Sequence, residues 1–218
     1  MTRPSDHRQY AAATDRNREP ILAVLQAVLP ETGTVLEISS GTGQHAVFFA
    51  PRLAPRRWLP SDANPLAIDS IAAWRSHHPC ETLYPPILLD ASTSPWPVEQ
   101  VPLPASLADS GFEPGAIAAL VNINMIHISP WSATLGLFAG AERLLPPGGV
   151  LYLYGPYKQQ GQHTAPSNAA FDESLRAQNP DWGVRNLEDV VAVAIAHQLQ
   201  LVKTVPMPAN NLSVIFQR

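Results

Sequence analysis

One cysteine, Cys80, stands in a chain of 218 residues. No intramolecular disulfide can form, and a structural zinc site built on paired thiolates is excluded, so no metal site is expected. Lysine is almost as scarce, two against twelve arginines, and charged residues make up only 15% of the chain. Fourteen basic and eighteen acidic residues leave a net charge of −4. Such a balance provides no broad positive field for nucleic acid or anionic lipid. Low charge together with 45% hydrophobic residues excludes a largely disordered chain. No apolar run approaches the roughly twenty residues that cross a bilayer. The first twenty residues are polar and lack the apolar stretch and small-residue cleavage site of a secretory signal. The expectation is a cytoplasmic protein with neither membrane nor nucleic acid as partner.

Proline is the residue in excess: 23 of them, about twice the usual share of roughly 5%. They punctuate an otherwise regular alternation. The length predicts one domain, since domains run to about 150 residues. A helix is expected from Arg16 to Leu29, with Pro20 near its start, as an N-terminal cap within residues 1–30. Strands are expected at Thr34–Ile38, Arg57–Leu59, Leu83–Leu89, Ile117–Ile123 and Val150–Tyr154. Helices fall between or after them at Gly43–Leu53, Pro65–His77, Trp131–Leu145 and Leu187–Leu199. Strands alternating with helices imply βαβ units and a mainly parallel sheet with helices on both faces. The last two strands, Leu201–Val205 and Leu212–Gln217, have no room for a helix between them and must form an antiparallel hairpin. Two stretches break the alternation. Ala91–Gly115 carries five prolines and reads as an irregular, unpacked excursion. Gly155–Asn168 is polar, punctuated by glycine and proline, and sits at the carboxyl edge where open α/β sheets bind ligands. It is predicted to begin a substrate loop spanning residues 155–186.

The segment Val35–His45, VLEISSGTGQH, is a strand, a turn of small residues and a helix start. Gly41 and Gly43 allow positive φ and close ligand approach, and the helix N-terminus offers unpaired N–H groups. Asp62 ends the second strand 19 residues after Gly43, close to the roughly 20-residue offset at which an acid meets a ribose diol. Asp90 ends the third strand in LLDAS, positioned to accept from an exocyclic amine. Local roles compete with both: Asp62 can cap the helix that begins at Asn64–Pro65, and Asp90 can open an Asx-turn.

Glu37, Gly41, Gly43, Asp62 and Asp90 together resemble the successive cofactor motifs of class I S-adenosylmethionine-dependent methyltransferases. That class has the seven-stranded sheet with a terminal hairpin inferred above. Its usual acid-x-Gly-x-Gly-x-Gly pattern is altered here, Ser39 standing where the first glycine falls. A closer resemblance runs through RN-x-x-PIL (Arg16–Leu22), SGTGQHAVFFA (Ser40–Ala50), PSD (Pro60–Asp62), NINMIHISPW (Asn122–Trp131) and GPY (Gly155–Tyr157). It continues through SN-x-x-FD-x-SL-x-x-x-NP-x-WG-x-R (Ser167–Arg185) and MPANN (Met207–Asn211). Across nearly the whole chain the sequence is similar to the methyltransferase-like protein 26 family.

The resemblance implies S-adenosyl-L-methionine as cofactor, held by Glu37, Ser39, Gly41, Gly43, Asp62, Ala63, Asp90 and Ala91. Asn122 and Asn124, at the end of the fourth strand, are expected on one side of it by the period of two, facing the transferred methyl group. His45 opens the first helix after the turn and is a further candidate contact. Arg16 can pair bidentately with the methionine carboxylate or lie solvated. His127, with a free pKa near 6.5, suits a general base or caps a strand end. Tyr157 either lines the pocket as a catalytic or substrate residue or packs beneath the loop. Asn17, His163, Asn168 and Arg185 are candidate substrate contacts. Asn210 and Asn211 read a polar substrate or simply shape the hairpin turn. Trp96, Trp131 and Trp182 are expected to pack.

Three functions compete. A methyltransferase for a small polar molecule needs mainly to align donor and acceptor, and the chain has little length left for a module that grips a macromolecule. The sequence lacks Asn-Pro-Pro-Tyr after the fourth strand, which weighs against an amide or nucleobase methylase. A catalytically inactive nucleoside-binding scaffold or sensor is kept open by Ser39. A nicotinamide oxidoreductase is disfavoured by the hairpin and by the missing G-x-G-x-x-G spacing.

Overall fold

The protein's structure, a computed structural model, describes residues 6–218. The chain begins with helix α1 (Ala12–Val28), strand β1 (Thr34–Ile38), α2 (Gln44–Arg52), β2 (Arg57–Asp62), α3 (Pro65–His77) and β3 (Ile87–Leu88). An irregular stretch containing the short α4 (Ala105–Ala108) leads to β4 (Ile117–Ile123), α5 (Trp131–Leu144) and β5 (Val150–Gly155). Then come β6 (Tyr157–Gln159), β7 (Gln162–His163), α6 (Pro166–Gln178) and β8 (Arg185–Asn186). The chain closes with α7 (Leu187–Ala196), β9 (Gln200–Met207) and β10 (Asn211–Gln217).

Seven strands form one sheet in the order β3-β2-β1-β4-β5-β10-β9. β10 runs antiparallel to both neighbours, and the other pairings are parallel. β1 is buried along its whole length, as a central strand covered on both faces must be. The period of two divides its side chains. Leu36 and Ile38 join Leu120, Leu151 and Phe216 beneath α5 and α7. Val35 joins Val121, Tyr152 and Ile215 beneath α1 and α2.

Several boundaries differ from the sequence expectation. α1 starts at Ala12, which leaves Pro20 in its interior. A proline there costs ~3 kcal/mol, and burial of Ile21, Leu22, Leu25 and Leu29 against the α2 aromatics offsets it. β2 runs on through Pro60 to Asp62. β3 shrinks to two residues plus an isolated bridge between Leu83 and Trp58, because Pro85 and Pro86 cannot donate to a ladder.

The proline-rich stretch after β3 is irregular but packed: Trp96 and Leu107 are fully buried. Trp96 lies directly on Gly140 of α5, where a Cβ would overlap its ring. The predicted substrate loop is likewise built from regular elements. β6, β7 and β8 form a small second sheet in the order β7-β6-β8, and α6 packs against it. Asp172 of α6 binds this lid together, with Oδ2 2.8 Å from Lys158 and 3.3 Å from His163. Its Oδ1 lies 3.1 Å from Arg176 and accepts the Val184 N–H at 2.8 Å.

Candidate active site

The carboxyl ends of β1, β2 and β4 meet at the turn Ser39–Gly43. Ser39, Gly41 and Gly43 all take positive φ, at 59°, 56° and 88°. At Gly43 a Cβ would come within 2.8 Å of the Ile71 backbone, so only glycine lets α2 approach α3 this closely. At Gly41 a Cβ would meet nothing within 4 Å, and the turn is open there. Asp62 crosses to the turn. Its Oδ2 accepts the Gly41 N–H and its Oδ1 the Asn64 N–H, both at 2.9 Å. The residue is 9% exposed and keeps lone pairs for further donors. Asn64 itself caps α3 through Leu66 N–H.

Glu37 lies behind the turn, 1% exposed, with Oε2 accepting Trp58 Nε1–H at 2.9 Å. Burial pushes its carboxyl up to about 7, against the pull of hydrogen bonds from Trp58 and Ser40. It supports the turn from within the core and does not face the cleft. Asp90 is exposed and accepts Ser92 N–H at 2.8 Å and Ser92 Oγ–H at 2.7 Å, the local Asx-turn. Ala63 is exposed beside Asp62, and Ala91 is buried under Gly136 of α5.

The segment before α1 is fastened over the helix starts. Gln9 N–H donates to Ser70 Oγ, whose hydroxyl donates to the Thr42 carbonyl. Trp74 Nε1–H donates to the Gln9 carbonyl, and Ala11 N–H to Gln44 Oε1. This strap brings α1 across α2. His45 Nε2 lies 2.9 Å from Asn17 Oδ1, and an amide oxygen only accepts, so the ring proton sits on Nε2. Burial lowers the His45 pKa to about 4, which leaves it neutral. Asn17 in turn hydrogen-bonds the Tyr154 hydroxyl.

A cavity of 690 Å³ opens beside this network. α1 supplies Arg16 and Asn17, and the end of β4 supplies Asn124 and Ile128. Tyr154 and Pro156 form its floor, and Ser167, Asn168 and Phe171 of α6 form one wall. The turn Pro208–Asn211 between β9 and β10 closes it. Asn168 Nδ2–H donates to the Asn210 carbonyl at 2.9 Å, and Asn210 Nδ2–H to Ser167 Oγ at 3.1 Å. These bonds pin the lid to the hairpin. Asn211 turns back on the Pro208 carbonyl.

Asn17, Asn124, Asn168, Asn210 and Asn211 all line this one cavity. Other candidates lie elsewhere. Asn122 and Asn124 do not share a side: β4 ends at Ile123, and Asn124 swings into the left-handed region at φ 66°. Asn122 stays buried, donating to the Ile38 carbonyl at 2.9 Å, while its Oδ1 has no partner among the described residues. His127 and Tyr157 are fully buried, ring against ring at 5.2 Å, and neither reaches the cavity. Burial holds His127 near 3 and raises Tyr157 far above the ordinary phenol. His163 pairs with Asp172 on the lid's far side. Arg185 donates to the Ile126, Ser129 and Asp181 carbonyls and covers Trp131, a structural clasp. Tyr154, Ile128 and Phe171 escaped sequence reading. Tyr154 was within its reach, as the last aromatic of a strand at the ligand edge.

Sheet order, crossovers and the closing hairpin define the class I methyltransferase fold. Solved structures agree. The mitomycin 7-O-methyltransferase MmcR superposes with a TM-score of 0.74 at 11% identity, over 95% of this chain and 54% of that one. Human N-acetylserotonin methyltransferase, solved with S-adenosylmethionine, gives 0.71 at 12% identity, over 94% and 52%. An O-methyltransferase family 2 protein from Planctomyces limnophilus, in complex with apigenin, gives 0.71 at 16%, over 94% and 60%. The chain spans roughly half to three-fifths of the length of these enzymes. By its own sequence it belongs to the family described as protein of unknown function DUF938, whose model matches residues 8–218.

Proposed function

We propose that this protein is an S-adenosylmethionine-dependent methyltransferase acting on a small polar molecule. The observation that carries the reading is the Gly41–Asp62 arrangement at the carboxyl edge: an open left-handed glycine whose N–H is held by a nearly buried carboxylate. The donor set fits the cofactor. Asp62 retains acceptor capacity for a ribose diol, each charged hydrogen bond contributing about 1.5–3 kcal/mol. Asn122 Oδ1 is a buried acceptor without a partner among the described residues. Ser39 takes the left-handed backbone of the glycine it replaces, which favours cofactor binding over an impaired scaffold. Asp90 and Ala91 would border the base, and Ser39, Gly41 and Gly43 the amino-acid end. The resemblance of the motifs above to the methyltransferase-like protein 26 family points the same way.

When bound, S-adenosylmethionine supplies a methyl group already activated on a sulfonium. The chain's task is to orient an acceptor and exclude water, and orientation is worth about 7–11 kcal/mol in favourable systems. The lid, pinned by Asn168 and Asn210, and the strap fastened by Gln9 and Ala11 restrict that motion. The neighbours named for O-methyl transfer to small molecules support the choice of a small acceptor, as does the cavity's size.

Calorimetric titration with S-adenosylmethionine and S-adenosylhomocysteine, with NADH as control, tests the reading. Micromolar binding of both sulfur nucleosides and at least a tenfold loss in Asp62→Ala, with circular dichroism unchanged, is expected. Absence of binding in the wild type refutes the reading, and binding without transfer of labelled methyl to any acceptor in a small-molecule extract favours the scaffold.

A further inference from the structure

The cavity holds an imbalance that the methyl-transfer reading, on which this inference rests, does not by itself explain. Among the described residues that line it Arg16 is the only charged one, and they include no aspartate, glutamate, histidine, lysine or cysteine. Its polar groups are amides, the Ser167 hydroxyl and the Tyr154 phenol. Tyr154 is no base: its hydroxyl is engaged with Asn17, and burial raises it above the ordinary phenol. The two nearby histidines stand behind the wall. His45 is tied to Asn17, and His127 is sealed beneath Gly155, where even an added Cβ would overlap its ring. Arg16 is exposed and makes no ion pair or side-chain hydrogen bond among the described residues. The aspartate one position before it pairs with Arg18 instead.

An acceptor here must therefore arrive able to attack without giving a proton to the protein. Alcohols do not meet that demand at neutral pH, and phenols, thiols and alkyl amines, titrating near 10, 8.5 and 10.4, are mostly protonated there. A carboxylic acid, titrating near 4, is fully ionised. An unpaired guanidinium in a cavity otherwise lined by neutral groups is suited to a carboxylate.

We infer that the acceptor is a small organic acid whose carboxylate takes the methyl group, with Arg16 holding one carboxylate oxygen while the other attacks. The attacking oxygen's lone pair forms the new C–O bond as the S–CH₃ bond breaks. That bonding pair stays on sulfur, which leaves as the neutral thioether. The product is a methyl ester, and no proton moves. The amide of Asn124 and the amide oxygen of Asn168, whose N–H groups are taken by Thr164 and Asn210, would meet the remaining polar groups, and Phe171 and Ile128 an apolar body.

Two measurements test this. In the first, the cofactor-free protein is screened by ligand-observed NMR against a panel of aliphatic and aromatic monocarboxylic acids and the matching primary amides. Acids should bind at least tenfold more tightly than their amides, and Arg16→Gln should abolish the difference. S-adenosylhomocysteine affinity in Arg16→Gln should stay within about twofold of wild type. No preference for acids, no binding by any member of the panel, or a tenfold loss of S-adenosylhomocysteine binding in Arg16→Gln overturns the assignment. The last result would move Arg16 to the cofactor's own carboxylate. In the second, methyl-labelled S-adenosylmethionine is incubated with protein and with the anion-exchange-retained fraction of a small-molecule cell extract. Label that alkali converts to volatile methanol identifies an ester and supports the proposal. Alkali-stable label overturns it while methyl transfer stands. Acid binding in a protein that fails to bind S-adenosylmethionine leaves the anion site standing and removes the methyltransferase reading.

Discussion

Replacing Glu37 by glutamine should make the protein more stable at neutral pH, although it removes a charged acceptor from a hydrogen bond. Glu37 is 1% exposed, and burial is the main cause that moves its carboxyl from 4.5 to about 7. The Trp58 and Ser40 hydrogen bonds oppose the move, and the charge of Asp62 reinforces it. A displacement from 4.5 to about 7 corresponds to ~3 kcal/mol. Because the folded state holds the proton more tightly than the unfolded chain, the protonated carboxyl's contribution is complete below pH 4.5 and is lost as pH rises to about 7. Glutamine has no proton to lose, and its amide oxygen can still accept from Trp58 Nε1. The stability difference between Glu37→Gln and wild type should rise from near zero at about pH 4 to ~3 kcal/mol in favour of the variant at about pH 8. His45 and His127 titrate in both proteins and cancel in the difference. Urea unfolding followed by far-ultraviolet circular dichroism at half-unit pH steps measures it. A difference that does not vary with pH, or a variant less stable than wild type at pH 8, would show that folding does not raise the carboxyl and that its ionised form carries no burial penalty.

Other substitutions probe the turn, the core and the lid. Ser39→Gly should stabilise the protein by up to ~1 kcal/mol, because a left-handed L-residue costs ~1–2 kcal/mol and glycine's extra chain entropy returns ~0.5–1 kcal/mol of that. Thermal unfolding reads the change, and cofactor affinity should be undiminished. Gly140→Ala should cost ~1–3 kcal/mol by pushing Trp96 off α5, visible as a lower urea midpoint. Asp172→Ala should cost ~2 kcal/mol and, in hydrogen exchange, deprotect residues 157–186 ahead of the main sheet. Burial alone would raise the Asp172 carboxyl, but Lys158, the Val184 N–H and Arg176 together hold it low. Its contribution is therefore complete at neutral pH and fades as acid protonates it, so wild-type exchange in the lid should approach the variant's below the ordinary carboxylate range.

What the sequence determined alone was the frame and the glycine turn. Thr34–Ile38 and Ile117–Ile123 are apolar runs too short for helices and bounded by turn residues. Pro65–His77 carries its own cap in Asn64–Pro65. The six residues Pro206–Asn211 between the two strands expected last forbid a crossover helix. Each of these signals is local, so each survives folding unchanged. Gly41, Gly43 and Asp62 were legible for a related reason: positive φ and an acid at a strand's end are properties of one position.

Only the tertiary structure decided which polar side chains share a space. His127 and Tyr157 have the chemistry of catalytic residues, but the fold buries them completely, ring against ring. Asn124 left its expected partner because one residue in the left-handed region breaks the period of two. The lid itself was unreadable as structure, since its strands are two or three residues long and are held by Asp172 to Lys158 and Val184, residues more than ten positions away in the chain. The prolines after β3 marked irregular backbone, which is a local property. That Trp96 would nonetheless be buried depended on Gly140, 44 residues later. The cavity has the same origin. Its walls come from α1, the ends of β4 and β5, α6 and the last hairpin, brought together because strand order places β1, β4, β5 and β10 side by side.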